Sequence, residues 1–148
     1  MYHRIISAIF IAFLTVVCFP NLIKGQSTDS LRYLIDNGQV KDDSHKYDLI
    51  CQVIEKINDA ESKIRYSDLA IELAQKLDIL PALPYLMKGE ASLDCGLHAL
   101  ALECFLNAAK YYKKNDDSSN LGRAYLSVAE TYNMLGNRDN EKLYLQNA

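Results

Sequence analysis

An internal repeat constrains the fold of this chain more than any other feature of its sequence. Residues 85–109 (YLMKGEASLDCGLHALALECFLNAA) and residues 125–148 (YLSVAETYNMLGNRDNEKLYLQNA) share one pattern at a constant offset, which places Tyr85 opposite Tyr125. Self-similarity at such a period is typical of proteins built from stacked helical hairpins. We therefore expect a repeat architecture before any function is assigned.

Each copy has the pattern of two helices that fold back on each other. Gly96 stands at the turn of the first copy, and Gly136 stands at the same position of the second. A looser copy precedes them at a slightly shorter offset, where Ser67, Ile71 and Ala74 correspond to Ala101, Phe105 and Ala108. The sequence therefore indicates about three hairpins.

The apolar residues recur at helical spacing throughout, and no segment alternates as a strand would. The sequence predicts an all-α chain with a leading helix and linker over residues 26–46, followed by about three antiparallel hairpins over residues 47–148. The predicted helices of these hairpins are Tyr47–Asn58, Ile64–Leu77, Leu83–Leu93, Leu97–Tyr112, Leu121–Leu135 and Arg138–Ala148.

The N-terminal residues have a separate character. A short basic start precedes the apolar run Ile5–Phe19, which Pro20 ends and Gly25 follows. This order is typical of a secretory signal peptide, here residues 1–25, and the run is shorter than the roughly 20 residues that span a bilayer. An uncleaved membrane anchor is the alternative. Either interpretation predicts an exported chain, in the periplasm or associated with the cell envelope.

Charge and cysteine content exclude several classes of function. The net charge is −3 with no basic block, so we expect no nucleic-acid partner. Beyond Cys18, the cysteines form no CxxC pair, and no histidines stand at metal-ligand spacing, so we expect neither a metal nor a cofactor. We interpret Cys51, Cys95 and Cys104 as small apolar residues, with a functional thiol as the alternative.

The repeat residues resemble those of tetratricopeptide repeats, which are hairpins of about 34 residues with small residues at fixed positions. In the repeat 82–115 the matching residues are Gly89, Ala101, Phe105 and Ala108, and in the repeat from Gly122 they are Ala129, Tyr132, Gly136, Leu145 and Ala148. The departures are Glu55, Ser62 and Glu141. The resemblance implies hairpins stacked as a right-handed α-solenoid.

The order of parts is also similar to the N-terminal sensory region of bacterial envelope proteins that carry a histidine kinase, nucleotide cyclase or DNA-binding output domain. This resemblance implies a non-catalytic module that binds a protein or peptide and takes part in signalling. A membrane would be reached only through the N-terminal segment or a missing downstream part. The third repeat stops at Ala148 without a polar capping helix, so the alternative is a free-standing envelope assembly or scaffold factor that self-associates through its open C-terminal hairpin.

The family resemblance implies partner contacts on the concave face, which the first helix of each hairpin lines. The residues placed there are Gln52, Lys56, Leu86, Glu90, Leu93, Asp94, Arg123, Leu126, Glu130 and Asn133. Glu90 and Asp94 are four residues apart and share a helix face. Beside Leu86 and Leu93 they would receive a basic, partly apolar peptide, and the alternative is that they are ordinary solvated charges.

Catalysis is not expected, because Glu90 and Asp94 form the only carboxylate pair on this face and no nearby histidine completes it. His98 falls on a second helix. The repeat residues Gly89, Gly96, Ala101, Phe105, Ala108, Ala129, Tyr132 and Gly136 are expected to have packing roles rather than functional ones.

Overall fold

The computed structural model describes residues 27–148, so the predicted signal peptide lies outside the described residues. The described part contains α1 (Thr28–Asp36), α2 (Asp43–Lys56), α3 (Ala60–Leu77), α4 (Ala82–Asp94), α5 (His98–Lys114), α6 (Ser118–Met134) and α7 (Arg138–Asn147), with no strand. The prediction of an all-α chain is confirmed. None of these helices combines the length and apolarity needed to cross a bilayer.

Aspartate side chains set where three of the helices begin. Asp42 and Asp59 each accept a hydrogen bond from the backbone N–H three residues later, at 2.7 Å and 2.9 Å, and Asp117 does the same at 3.1 Å. Such a cap satisfies a backbone donor that the first helical turn leaves free. The helices α2 and α3 consequently begin four residues before the predicted starts at Tyr47 and Ile64.

The turns inside the second and third hairpins use a different residue type from the turns that precede these hairpins. Gly96 joins α4 to α5 and Gly136 joins α6 to α7, both with φ of 72°, a left-handed conformation that glycine adopts without steric cost. Between hairpins the left-handed residues are Asp78 and Asp116, with φ of 54° and 55°. Aspartate tolerates this conformation better than most side chains do. The alternation of turn residues therefore follows the repeat.

Contacts between helices follow the order of the chain. Each helix packs on the next one, and in addition α2 packs on α4 and α4 packs on α6, while the backbones of no other helix pair within residues 27–148 come as close. The first helices of the three hairpins (α2, α4 and α6) therefore lie side by side. The core is continuous from Leu31 in α1 to Val128 in α6, whereas α7 contributes no buried residue.

Two helices approach most closely where Gly89 on α4 meets Phe105 on α5. An ideal Cβ at Gly89 would lie 2.5 Å from Cε1 of the Phe105 ring, which is closer than real Cβ contacts come. The ring itself is completely buried, as are Ala101 and Ala108 on the same helix. The glycine is therefore needed because the ring occupies the space of its side chain.

The leading helix α1 is held by a buried tyrosine on α3 that the sequence did not single out. The Tyr66 hydroxyl donates a hydrogen bond of 2.7 Å to Asp36, and the Arg65 guanidinium contacts the same carboxylate at 3.3 Å. Arg65 also lies 4.2 Å from the centroid of the Tyr66 ring. Together with the buried Leu31 and Ile35, these contacts fix α1 over the first hairpin.

Candidate functional site

The residues predicted to contact a partner lie on α2, α4 and α6, but they are not equally accessible. Those that reach solvent, which we call the first-helix surface, are Gln52, Lys56, Glu90, Leu93, Asp94, Arg123, Leu126, Glu130 and Asn133. Because α4 touches both α2 and α6, this surface extends over all three hairpins.

Leu86 does not belong to this surface, and its predicted role in partner contact is wrong. Its side chain is 0% exposed, because α4 is flanked by helices of the preceding and the following hairpin. The residue that corresponds to it in the third hairpin, Leu126, is 52% exposed. Leu86 is therefore a core residue.

An ion pair changes the predicted electrostatics of the surface. Arg123 on α6 donates to the Glu90 carboxylate at 2.5 Å, with the two side chains 50% and 33% exposed. Exposed pairs of this kind contribute about 0.2–1 kcal/mol. Glu90 and Asp94 therefore do not act as a pair of free carboxylates, and the pair links the second hairpin to the third.

The remaining free charge near the middle of the surface belongs to Asp94. It is exposed and forms no ion pair within residues 27–148. Its neighbour Leu93 is half-buried and packs against the core, and Leu126 adds an exposed apolar side chain from α6. Lys56 on α2 contributes an exposed positive charge. The arrangement is a mixed surface, acidic and apolar beside Asp94.

At the third hairpin the surface is partly occupied by a contact between α6 and α7. The Asn133 amide donates a hydrogen bond of 2.8 Å to the Glu141 carboxylate. Glu141 stands where the second hairpin has the buried Ala101, so this bond accommodates a polar residue at a position that is apolar in the repeat pattern. Glu130 remains exposed beside it.

Burial sets the protonation state of two of the cysteine thiols. Burial raises the pKa of Cys51 and of Cys104 to about 11, so both thiols are protonated near neutral pH. Cys95 is exposed, and none of the three forms a disulfide. In the described part of the chain no cluster of His, Cys, Asp or Glu could hold a metal ion.

The tyrosines flank the hairpins and pack on one another. Tyr85 stacks on Tyr111 with ring centroids 5.7 Å apart, and Tyr132 stacks on Tyr144 at 5.7 Å. Tyr144 also contacts Tyr125 in a tilted arrangement. Such pairs add about 0.5–1.5 kcal/mol beyond the area they bury. Tyr144, which holds α7 on α6, is a packing residue that the repeat pattern did not mark.

No protein-family model matches the chain, and no curated protein or solved structure matches it. The resemblance to tetratricopeptide repeats consequently rests on the repeat residues of the chain itself.

Proposed function

We propose that this chain is a non-catalytic module that binds a protein or peptide through the first-helix surface. In this proposal the three hairpins stack as a tetratricopeptide-like, right-handed α-solenoid. The observation that carries it is the contact of α4 with both α2 and α6, which aligns the first helices of successive hairpins. A row of aligned helices offers one extended surface of the kind that repeat proteins use for binding.

The chemistry of the surface favours a basic, partly apolar ligand. Asp94 offers an exposed carboxylate without an internal partner in the described part of the chain, and Leu93 on α4 and the exposed Leu126 on α6 offer apolar side chains. A lysine or arginine of the ligand would pair with Asp94 while its apolar neighbours cover the leucines. The partner would thus be a peptide segment rather than a nucleic acid.

The proposed role is non-catalytic and needs no cofactor. Burial raises the pKa of the Cys51 and Cys104 thiols, which is consistent with a packing role for both side chains. With the signal-like N-terminal segment, we place the module in the periplasm or cell envelope, as the sensory or interaction region of a signalling protein.

The structure also favours a second candidate, a free-standing scaffold that associates through its C-terminal hairpin. The helix α7 has no buried residue, and Leu143 and Leu145 are about half exposed on it. Apolar side chains left open on a repeat end are suited to association. A hydrophobic segment encoded downstream of Ala148 would support the sensory role, and a stop codon there would support the scaffold.

Selection of peptide ligands tests the binding role directly. Peptides displayed on phage are selected on the full-length chain, and their affinities are then measured for a Leu93→Ser plus Asp94→Lys variant. We expect peptides rich in Lys or Arg beside apolar residues, with at least about tenfold weaker binding to the variant.

The matched control is Glu103→Lys, which changes an exposed carboxylate on α5, away from the first helices. Circular dichroism establishes that all three proteins remain helical. Equal affinity for the parent and the double variant would contradict the assignment of the first-helix surface.

A further inference from the structure

The second hairpin shows how the side of a hairpin is covered in this chain. Phe105 is completely buried, and its helix α5 packs closely on α4 and α6. Gly89 on α4 receives one side of the ring, which leaves α6 as the other closely packed helix that can cover it. Leu86 on α4, which α6 also contacts, is likewise completely buried.

The third hairpin has the corresponding residues without a cover. Leu126 occupies the repeat position of Leu86 and is 52% exposed, and Leu145 occupies the repeat position of Phe105 and is 50% exposed. The helix α7 contacts only α6 among the described helices. Two repeat positions that are completely buried in the second hairpin are therefore about half exposed in the third.

Contacts between α6 and α7 show which flanks of the two helices meet. Asn133 donates to Glu141 at one end, and at the other end the Ala148 carbonyl oxygen lies 2.9 Å from an ideal Cβ built on Gly122. On a helix, residues three, four or seven positions apart lie on the same flank. The contacts of Gly122, Asn133, Glu141 and Ala148 therefore define the side of the third hairpin along which α6 and α7 meet.

We call it the terminal face, and it consists of Gly122, Leu126, Glu130, Asn133, Glu141 and Leu145. Leu126 is four residues after Gly122, and Leu145 is four residues after Glu141, so both leucines border the junction of α6 and α7. The leucines give the face an apolar centre, and the Asn133–Glu141 hydrogen bond gives it a polar edge.

Charge indicates what kind of helix this face accepts. Across the junction of the second and third hairpins, Glu90 pairs with Arg123. The residue at the same repeat position in the third hairpin is Glu130, which is exposed and forms no ion pair within residues 27–148. Arg123 directly precedes Ala124, which is completely buried together with Val128. A matching helix therefore needs a basic residue followed at once by a small apolar one.

We propose that the terminal face binds an amphipathic helix whose sequence resembles that of α6. Such a helix has a basic residue like Arg123, directly followed by a small apolar residue like Ala124, and a β-branched residue four positions after the small one, like Val128. The basic residue pairs with Glu130, and the apolar residues cover Leu126 and Leu145. The terminal face shares Leu126, Glu130 and Asn133 with the first-helix surface. The two sites are distinguished by Leu145, which belongs to the terminal face alone, and by Asp94, which belongs to the first-helix surface alone.

The probe is a fluorescent peptide with the sequence of residues 118–134, in which Met134→Lys forms a lactam bridge with Glu130. The bridge is needed because a free helix of this length is only marginally stable in water. Fluorescence anisotropy follows its titration with the full-length chain. We expect saturable binding, at least about tenfold weaker for Leu145→Asp and about fivefold weaker for Glu130→Arg.

A charge exchange identifies the proposed ion pair. The peptide with Arg123→Glu should bind the Glu130→Arg chain better than it binds the parent chain. Leu106→Asp is the control, since Leu106 is an exposed leucine on α5 outside the terminal face. Circular dichroism establishes that each chain variant keeps its helix content.

Absence of binding, or equal binding to the parent and Leu145→Asp chains, would overturn the proposal. Sedimentation equilibrium tests for the other occupant of the terminal face, a second copy of the chain. The proposal is wrong if the parent chain self-associates, if the Leu145→Asp variant is monomeric, and if the peptide does not compete with self-association. The terminal face would then be a contact between copies of the chain. Loss of binding in Asp94→Lys alone would instead identify the first-helix surface as the site of the peptide.

Discussion

At the scale of single residues, attachment of the leading helix depends on the carboxylate of Asp36. Burial by itself raises the pKa of this group, but the hydrogen bond from Tyr66 and the ion pair with Arg65 outweigh it and hold the pKa below the ordinary value of 3.8. The ionised form is therefore favoured in the folded state, and it stabilises the fold above the unfolded pKa. The stabilisation is lost as the pH falls through the folded pKa.

Asp36→Asn should consequently make the free energy of unfolding depend less steeply on pH in the acid range. Urea unfolding followed between pH 5 and about pH 2 should show a smaller loss of unfolding free energy in the variant than in the parent. The capping residues Asp59 and Asp117 also have lowered pKa values, through hydrogen bonds with Ser62 and Asn120. Because the parent and the variant both contain these two caps, they do not contribute to the difference. An equal loss of unfolding free energy in the two proteins would show that the Tyr66–Asp36 contact does not stabilise the ionised carboxylate of Asp36.

A second residue-scale determinant is the absence of a side chain at Gly89. Alanine has the higher helix propensity, by about 1 kcal/mol, but its Cβ would meet the buried Phe105 ring. Overpacking in a core costs about 1–3 kcal/mol. Gly89→Ala should therefore destabilise the chain by about 1 kcal/mol in urea unfolding.

Phe105→Leu supplies the partner for a double-mutant cycle. The two substitutions should be less destabilising together than the sum of their separate effects, because the smaller side chain makes room for the methyl group. Strict additivity would contradict the close contact of α4 and α5.

At the scale of helices, the two hairpin turns differ in one cap. Asn137 caps α7 by accepting a hydrogen bond from the backbone N–H of Asn140 at 3.2 Å. The corresponding residue of the second hairpin is Leu97, which forms no side-chain cap and is about half exposed. Its backbone, with φ of −86° and ψ of 61°, is close to that of Asn137, at −93° and 81°.

Leu97→Asn should therefore transfer the cap and raise the unfolding free energy by about 0.5–1 kcal/mol. Thermal unfolding measures the gain, and Asn137→Leu is the matched control, with a loss of similar size. A decrease in stability for Leu97→Asn would mean that the leucine contributes more through packing than a cap would.

Helices and turns were predictable from the sequence because they depend on local patterns. Apolar spacing located the helices, and the repeat located Gly96 and Gly136 at the turns. Long-range contacts left no such pattern. Tyr66 and Asp36 are 30 residues apart, and Arg123 and Glu90 are 33 residues apart, so neither contact was predicted. The burial of Leu86 also depends on neighbouring hairpins, which a position within one repeat does not reveal.

At the scale of the whole molecule, individual polar contacts join each hairpin to the next. Lys88 on α4 pairs with Asp68 on α3 at 2.7 Å, and Arg123 on α6 pairs with Glu90 on α4 at 2.5 Å. Each of these pairs joins two successive hairpins, in addition to the packing of the helices on one another. Binding to the first-helix surface would therefore touch several hairpins at once without involving the second helices.

The most direct test of the proposed role is an NMR titration of the isotopically labelled chain with a selected basic peptide. We expect backbone amide shifts to concentrate on α2, α4 and α6, with the largest changes near Leu93 and Asp94. The shifts should vanish in the Leu93→Ser plus Asp94→Lys variant and persist in Glu103→Lys. Shifts concentrated on α3 and α5, or unchanged in the double variant, would contradict it.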